Sequence, residues 1–326
     1  MIFKHKRKKI GLALGSGAAR GLSHIGVLNG LGESGIAIDM IAGTSMGALV
    51  GAYYAKHLEV KGLEEIVLAL DFKNILKLAD PNFFFLFQGF VSGNKVEEFL
   101  KLLIGDIDFK DLKIPLWIIA TDIQTGEEVI INEGSVVKAV RASISIPAIF
   151  TPVSHNGRVL IDGGIVNPLP ANVLRQKGAD FILASDVVKK PKSFSNVTSG
   201  QSLLTEKASA ASKTVNEGVV KLSGNRDLFG SIKGFVKNFI DVKEIEERKG
   251  IPSIFETILN ALYTMEYQVV KTTSQAADLI ITPATDHIAT LEFYRAREIV
   301  WQGYKACVEV VDKNKKQLSK ITKCRI

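Results

Sequence analysis

The stretch that most constrains the fold of this 326-residue chain is a Gly-x-Ser-x-Gly pattern, Gly43-Thr44-Ser45-Met46-Gly47. An apolar run typical of a strand precedes it at residues 38–42, and an apolar run rich in small residues, typical of a helix, follows it at 48–54. Glycines on both sides of the serine let a strand and a helix approach closely, because they carry no Cβ. The pattern therefore predicts a sharp strand-to-helix turn that presents Ser45 at a helix N-terminus, where unpaired N–H groups favour negative charge.

The pentapeptide alone is a weak signal, since Gly-rich turns between strands and helices are common in α/β proteins. The alternation of elements around it adds to the argument, because β-α-β-α order is typical of the start of a parallel sheet. Strands are predicted at residues 10–14, 38–42, 116–120, 159–161, 181–184 and 279–281, with a hairpin strand at 127–131. Helices are predicted at residues 22–31, 48–54, 136–142, 254–270 and 293–310.

The length and the 46% hydrophobic content allow one large core. The composition changes after Val188, since residues 189–250 are rich in Ser, Lys, Thr and Gly. We predict a basic tail at 1–9, one domain at 10–315 interrupted by an insertion or lid-like segment at about 189–250, and a C-terminal tail at 316–326. The insertion holds an amphipathic stretch at 228–240, which either packs on the protein body or binds a lipid surface.

The net charge of +7 suggests a polyanionic partner. Residues 4–9 are Lys-His-Lys-Arg-Lys-Lys, and the apolar run after them is too short for a signal peptide. No apolar run approaches the roughly 18 to 20 residues of a membrane helix. Cys307 and Cys324 have no metal-ligand or disulfide spacing. We therefore expect a cytoplasmic protein without a metal or other cofactor.

Two partners fit a basic chain, and the sequence favours a membrane over a nucleic acid. The basic cluster lacks interleaved aromatic residues and no recognition motif follows it, so a nucleic-acid partner is not expected. The aromatic run at 83–87, the basic tail and the 228–240 stretch together fit peripheral contact with anionic lipid at the inner face of the cell membrane. The alternative is three unrelated features, a solvated tail and two core segments.

A second glycine pattern, residues 15–21, lies between the first predicted strand and the first helix. Backbone N–H groups at such a helix start can converge on an oxyanion, and small side chains permit the approach. The rival interpretation is a dinucleotide-binding loop, because Gly15-x-Gly17 follows a strand and Asp39 lies at about the expected distance. Arg20 occupies the third glycine position of that motif, which counts against it.

A third site, Asp162-Gly163-Gly164, directly follows the predicted strand at 159–161. We expect it at a strand end of the parallel sheet, where catalytic groups gather, although by itself it is also a simple Asp-Gly turn. A serine nucleophile needs a base, and the five histidines lack a supporting motif; among them only His287 follows Asp162. A serine–aspartate pair is the other arrangement. Aspartate with its ordinary pKa of about 3.9 is a poor base at neutral pH, so burial would have to raise that pKa. The five histidines are His5, His24, His57, His155 and His287.

Together these motifs resemble the bacterial branch of the patatin-like phospholipases. The resemblance covers residue 10 to about 187 and resumes near 254. Its elements are residues 11–21, 24–28, 43–47, 142–147, 162–164 and 167–170. It implies a three-layer α/β/α fold with a mainly parallel central sheet. It also implies a carboxylic ester hydrolase of the phospholipase A or lysophospholipase type, which cleaves lipid acyl esters through an acyl-enzyme.

The resemblance also implies roles for individual residues. Ser45 corresponds to the nucleophile and Asp162 to the base of a serine–aspartate dyad, while His24 belongs to the pattern without a catalytic role. The remaining implied site residues are the oxyanion-hole loop Gly15, Ser16, Gly17 and Ala18, the elbow glycines Gly43 and Gly47, and the base-turn glycines Gly163 and Gly164. The family loop usually carries three adjacent glycines, whereas here Ser16 and Ala18 flank Gly17, so the identity of the oxyanion donors stays open. A non-catalytic lipid-binding or regulatory protein on the same fold is the alternative function.

Overall fold

The central sheet forms from the apolar runs that recur along the sequence. A computed structural model describes residues 8–69, 93–188, 190 and 254–322. Within them, one sheet contains β1 (Ile10–Leu14), β2 (Met40–Thr44), β3 (Leu116–Asp122), β4 (Glu128–Ile131), β5 (Val153–His155), β6 (Arg158–Asp162), β7 (Phe181–Ser185) and β8 (Leu279–Ile281). The spatial order is β5-β6-β3-β2-β1-β7-β8, and β4 pairs with β3 outside that path.

The sheet is mixed but mostly parallel. The neighbouring strands β3, β2, β1, β7 and β8 run parallel, whereas β4 and β6 run antiparallel to β3, and β5 runs antiparallel to β6. The carboxyl ends of the parallel strands therefore share one edge, where ligands bind in sheets of this kind. The predicted α/β class and the predicted hairpin between β3 and β4 are confirmed.

Helices cover both faces of the sheet. The α-helices of the described residues are α1 (Ser23–Glu33), α2 (Met46–His57), α3 (Lys61–Ala69), α4 (Gly93–Ile104), α5 (Val136–Ser143), α6 (Ala171–Gln176), α7 (Ile254–Thr273), α8 (Ala296–Lys313) and α9 (Lys315–Thr322). Side chains alternate between the two faces along each strand. In β1, Leu12 and Leu14 join a core with α1, α2 and α8, whereas Ala13 between them joins a core with α6 and α7. The three-layer α/β/α arrangement is confirmed.

Several elements differ from the sequence predictions. The helix predicted from residue 22 begins as a 3-10 turn, Ala18–Leu22, before α1. The tail predicted from residue 316 is helical as far as Thr322, because Leu318 and Ile321 are buried against the body. The strands and α-helices that the sequence did not predict are β5, α3, α4, α6 and α9.

Three predicted segments lie outside the described residues. They are the basic tail apart from Lys8 and Lys9, the aromatic run at 83–87, and the insertion at about 189–250 apart from Lys190, which includes the stretch at 228–240. Among the helices that are described, none combines the length and the apolar character needed to cross a membrane.

Close packing of α1 on α8 depends on glycine. A Cβ on Gly26 would overlap the carbonyl oxygen of Val300. We expect Gly26→Ala to lower the free energy of unfolding by about 1–3 kcal/mol, because the two helix backbones must separate. A Cβ added at Gly32 in the same helix would meet open space. Gly32→Ala should therefore raise the free energy of unfolding by about 0.5–1 kcal/mol. Urea denaturation measures the free energy of unfolding of both variants, and an equal change in the two would contradict the packing argument.

Candidate active site

Ser45 occupies a sharp turn between β2 and α2. The strand ends at Thr44, the helix begins at Met46, and Ser45 between them has φ of 56° and ψ of −120°. A non-glycine residue seldom adopts a positive φ, and such strain concentrates at functional sites. The predicted strand-to-helix turn is present.

The two glycines of the turn are required by close backbone approach. A Cβ on Gly43 would lie 2.6 Å from the carbonyl oxygen of Gly47, and a Cβ on Gly47 would overlap the carbonyl oxygen of Leu14 at the end of β1. Residues with side chains at these positions would push α2 away from the sheet. Gly43 and Gly47 therefore allow the helix to begin directly above the carboxyl edge of the parallel strands.

The Ser45 side chain points at Asp162. Its Oγ donates a hydrogen bond to Asp162 Oδ2 at 2.6 Å, and both residues are buried. The Ser45 backbone N–H donates to Ser143 Oγ at 2.8 Å, and that hydroxyl donates in turn to the carbonyl oxygen of Ile119 at 2.6 Å. The strained serine is thus held through both its backbone and its side chain.

Asp162 reaches Ser45 across β3. Thr44 pairs with Ile119 on one side of β3, and Asp162 pairs with Ala120 on the other side, so the two residues lie at the same level of the sheet. We expected Asp162 at the carboxyl end of a parallel strand, and this is wrong because β6 runs antiparallel to β3. The antiparallel strand nevertheless delivers its last residue to the same edge.

Four hydrogen bonds fix the orientation of Asp162 in addition to the tight turn that follows it. Its Oδ1 accepts from the N–H of Gly164 at 2.8 Å, while Oδ2 accepts from Ser45. Its backbone N–H donates to the carbonyl oxygen of Ser145 at 3.0 Å, and its carbonyl oxygen accepts from Thr121 Oγ1 at 2.8 Å. A Cβ on Gly163 would overlap the backbone of β3, so the turn needs glycine there.

Burial shifts the acidity of Asp162 in the direction that a base requires. Loss of solvent raises its pKa to about 6, although hydrogen bonds from Ser45 and Gly164 act in the opposite direction. The carboxyl is therefore largely ionised at neutral pH and is a stronger proton acceptor than an exposed aspartate.

The glycine loop between β1 and α1 supplies two unengaged N–H groups. The N–H of Gly15 donates to the carbonyl oxygen of Ser185 at 3.1 Å, and that of Ser16 donates to the carbonyl oxygen of Pro168 at 2.8 Å. The N–H groups of Gly15 and Ser16 therefore already donate hydrogen bonds within the fold. The N–H groups of Gly17 and Ala18 have no acceptor within the described part of the chain, and both residues line the same cavity as Ser45 and Asp162.

Helix α7 roofs the site and leaves little free space. The cavity over Ser45 has a volume of about 10 Å³, which is about the space of one water molecule. Its other walls are mostly apolar. The wall and roof residues are Ile146, Pro147, Ile165, Leu259, Leu262, Tyr263 and Glu266. An acyl ester cannot enter this conformation, so α7 or the facing wall must move when a substrate of that size binds.

The histidines that the structure describes lie away from the cavity. His24 is buried, with Nδ1 paired to Ser185 Oγ at 2.9 Å and Nε2 to the carbonyl oxygen of Gly15 at 2.8 Å. Burial lowers the pKa of His24 to about 4, so this ring stays neutral and braces the glycine loop. His287 pairs with Glu298 at 2.8 Å on the surface. None of the four histidines in the described ranges lines the cavity.

The interpretation of the glycine loop as a dinucleotide-binding loop is wrong, because Asp39, the acidic residue that supported it, lies far from the loop. Asp39 directly precedes β2, and its Oδ2 accepts a hydrogen bond from the N–H of Ile10 at 2.8 Å. This contact lies at the amino end of β1, whereas the glycine loop follows the carboxyl end of that strand. Asp39 therefore cannot reach a ribose bound at the loop.

Sequence reasoning missed the contribution of α7. Tyr263 and Glu266 reach the site from a helix more than 200 residues after the serine turn, and no motif marks them. The available signal was helical spacing, because Glu266 follows Leu259 by seven residues and Leu262 by four, which places this carboxylate on an apolar face of the helix. Among the described residues, no group of three His, Cys, Asp or Glu side chains is placed to hold a metal ion.

Sequence comparison finds relatives among known proteins. An uncharacterized NTE family protein of Mycobacterium tuberculosis is 38% identical over 176 residues, which are 54% of this chain and 48% of that protein. The lysophospholipase NTE1 of Pyricularia oryzae is 28% identical over 316 residues, which are 94% of this chain and 18% of that protein. This chain thus corresponds to about half or less of the length of these curated relatives.

Among solved structures, VipD from Legionella pneumophila aligns over 96% of this chain and 80% of its own, with 13% identity and a TM-score of 0.38, too low to support an inference. Residues 12–175 match the family model described as patatin-like phospholipase. The glycine loop, the serine turn and Asp162 all lie inside the matched residues. The chain belongs to the patatin-like phospholipase family.

Proposed function

We propose that this chain is a serine lipid acyl hydrolase, of the phospholipase A or lysophospholipase type, in which Ser45 and Asp162 form the catalytic dyad. The observation that carries the proposal is the buried 2.6 Å hydrogen bond from Ser45 Oγ to Asp162 Oδ2. A serine nucleophile needs a base within hydrogen-bonding distance, and the Asp162 carboxylate is at that distance.

The proposed reaction has two halves. Ser45 Oγ bonds to the acyl carbonyl carbon while its proton passes to Asp162 Oδ2, and the N–H groups of Gly17 and Ala18 stabilise the oxyanion. The intermediate then collapses, the ester C–O bond breaks, and the alcohol leaves with the proton from Asp162. Asp162 next takes a proton from water, whose oxygen attacks the acyl-enzyme. The bond between Ser45 Oγ and the acyl carbon then breaks, and the fatty acid leaves as that proton returns to Ser45 Oγ.

The walls of the cavity and one relative support the proposed substrate class. Aliphatic side chains from the Ile146–Pro147 wall and from Leu259 and Leu262 on α7 suit an acyl chain. One of the relatives is named a lysophospholipase. Both observations support a lipid acyl ester as the substrate.

Contact with an anionic membrane is a further part of the proposal. Lys8 and Lys9, the two residues of the basic tail that the structure describes, are exposed. Exposed basic residues favour a negatively charged lipid surface, and each adds a modest increment to binding.

Labelling with a fluorophosphonate tests the proposed function. We expect the folded protein, with detergent micelles present to admit the probe, to be modified at Ser45, and peptide mass mapping locates the adduct. Protein unfolded in guanidinium gives the background, because an unactivated serine does not react. Absence of an adduct at Ser45 with and without micelles would favour the alternative of a lipid-binding or regulatory protein.

A further inference from the structure

Helix α7 brings a second buried carboxyl to the site, and the proposed mechanism does not use it. Glu266 is 6% exposed and lines the same cavity as Ser45 and Asp162. Carboxyl groups are seldom buried to this extent without a specific partner. The identity of that partner indicates what Glu266 does.

The partner is the oxyanion loop. Ser16 Oγ donates a hydrogen bond to Glu266 Oε2 at 2.7 Å, and 250 residues separate the two in sequence. The backbone N–H of Ser16 is held separately by the carbonyl oxygen of Pro168. Ser16 directly precedes Gly17, so these two contacts fix the loop beside the unengaged N–H groups of Gly17 and Ala18, two residues that line the cavity.

Glu266 also rests on the turn that orients the base. A Cβ on Gly164 would lie 2.6 Å from Glu266 Oε1, so the carboxyl packs directly against this glycine. Gly164 is the residue whose N–H donates to Asp162 Oδ1. A single side chain of α7 therefore contacts both the oxyanion loop and the base turn.

Burial, together with the neighbouring Asp162, favours the neutral form of Glu266. Burial and the nearby charge of Asp162 raise the pKa of Glu266 to about 8, against the effect of the Ser16 hydrogen bond and of Arg20. Tyr263 is the other titratable group that interacts with it. The negative charge of Asp162 therefore opposes ionisation of Glu266. A glutamine at 266 has the shape and charge of the protonated carboxyl.

We propose that Glu266 is a positioning residue, which holds the oxyanion loop through Ser16 so that the Gly17 and Ala18 N–H groups meet the developing oxyanion. This inference rests on the proposed function. It assigns a purpose to Ser16, which stands where the family usually has glycine. It also couples α7 to the oxyanion loop, because a movement of α7 that displaces Glu266 breaks the hydrogen bond from Ser16 Oγ.

A double-mutant cycle on a short soluble acyl ester tests the proposal. We expect Glu266→Ala and Ser16→Ala each to lower kcat by about 10- to 100-fold with KM changed less than about threefold, because small misplacement of a catalytic group is costly. The double variant should be no slower than the slower single variant, within about threefold. Glu266→Gln should stay within about threefold of wild type, because its amide oxygen still accepts from Ser16.

Controls separate positioning from stability. Gln268→Ala, at an exposed position of α7 that accepts from Lys271, should leave kcat unchanged. If Glu266→Ala does not fold, Ser16→Ala removes the same hydrogen bond without altering α7. The proposal is overturned if the single effects multiply in the double variant, if only KM changes, or if Glu266→Gln is as slow as Glu266→Ala.

The same assay distinguishes this inference from the proposed function. If wild-type hydrolysis does not depend on Ser45, the proposed function fails. If it depends on Ser45 but is unaffected by Ser16→Ala and Glu266→Ala, only the role of Glu266 fails.

Discussion

Ser45→Ala is expected to lower hydrolysis of a short acyl ester by at least about 10⁴-fold, because loss of the nucleophile in serine hydrolases has effects of this size or larger. The substitution removes only Oγ, the atom that donates to Asp162. Alanine has the same Cβ as serine, so the φ of 56° at the turn is no more strained than before. The backbone bond from residue 45 to Ser143 is kept. Initial rates at saturating ester, with circular dichroism to verify folding, measure the effect.

A matched serine provides the control. Ser154 is exposed on β5 of the same sheet and away from the cavity, so Ser154→Ala should hydrolyse the ester at the wild-type rate. If Ser45→Ala also retained that rate, the reaction would occur elsewhere on the protein and the dyad would be wrong.

The sequence predicted best those elements whose signal is local. The bounds of β1 and β8 agree with the prediction, since each is a short apolar run between polar residues or turns. The serine turn was also predictable. Gly43 and Gly47 lie next to it in sequence, and the absence of a side chain at each allows the strand and the helix to approach closely. The predicted start of α2 was two residues late, because the helix begins inside the turn, at Met46.

Features set by distant contacts were beyond prediction. The apolar pattern of β6 fits either strand direction, and pairing with β3 decides that it is antiparallel. The N–H groups of Gly15 and Ser16 looked available as oxyanion donors, but the carbonyl groups of Ser185 and Pro168 engage them. The contacts of Gly15 and Ser16 join segments more than 150 residues apart, so the local sequence does not indicate them.

The pairing of the two carboxyls near Ser45 shows the same limit. Nothing near Asp162 in sequence indicates that Glu266 will be buried beside it, and nothing near Glu266 indicates that Ser16 will be its partner. The need for a raised pKa at Asp162 could be stated from the chemistry of a serine–aspartate pair. Its physical cause, burial beneath α7 and against the sheet, is a property of the fold.

Asp162→Asn is expected to lower kcat by about 10³-fold or more while leaving the protein folded, because an amide cannot take the Ser45 proton. Asparagine keeps the shape of the side chain, and its Oδ1 can still accept from the N–H of Gly164. Folding should tolerate the change. The folded pKa of Asp162, about 6, lies above its ordinary value, so the stability that Asp162 contributes falls as the pH rises from that ordinary value to about 6 and stays low above it. The melting temperature of the variant relative to wild type should therefore be higher at pH 8 than at pH 5.

The pH dependence separates a base from a merely structural carboxyl. Wild-type kcat should rise as the pH increases through about 6 and Asp162 ionises, whereas the residual rate of Asp162→Asn should lack that rise. Asp122→Asn is the matched control, since Asp122 is also buried at the edge of the sheet but bonds to Arg158 and Gln124; it should keep both the rate and the rise. Wild-type turnover in Asp162→Asn would instead require another base, and His287, which bonds to Glu298 outside the cavity, would have to move to reach Ser45.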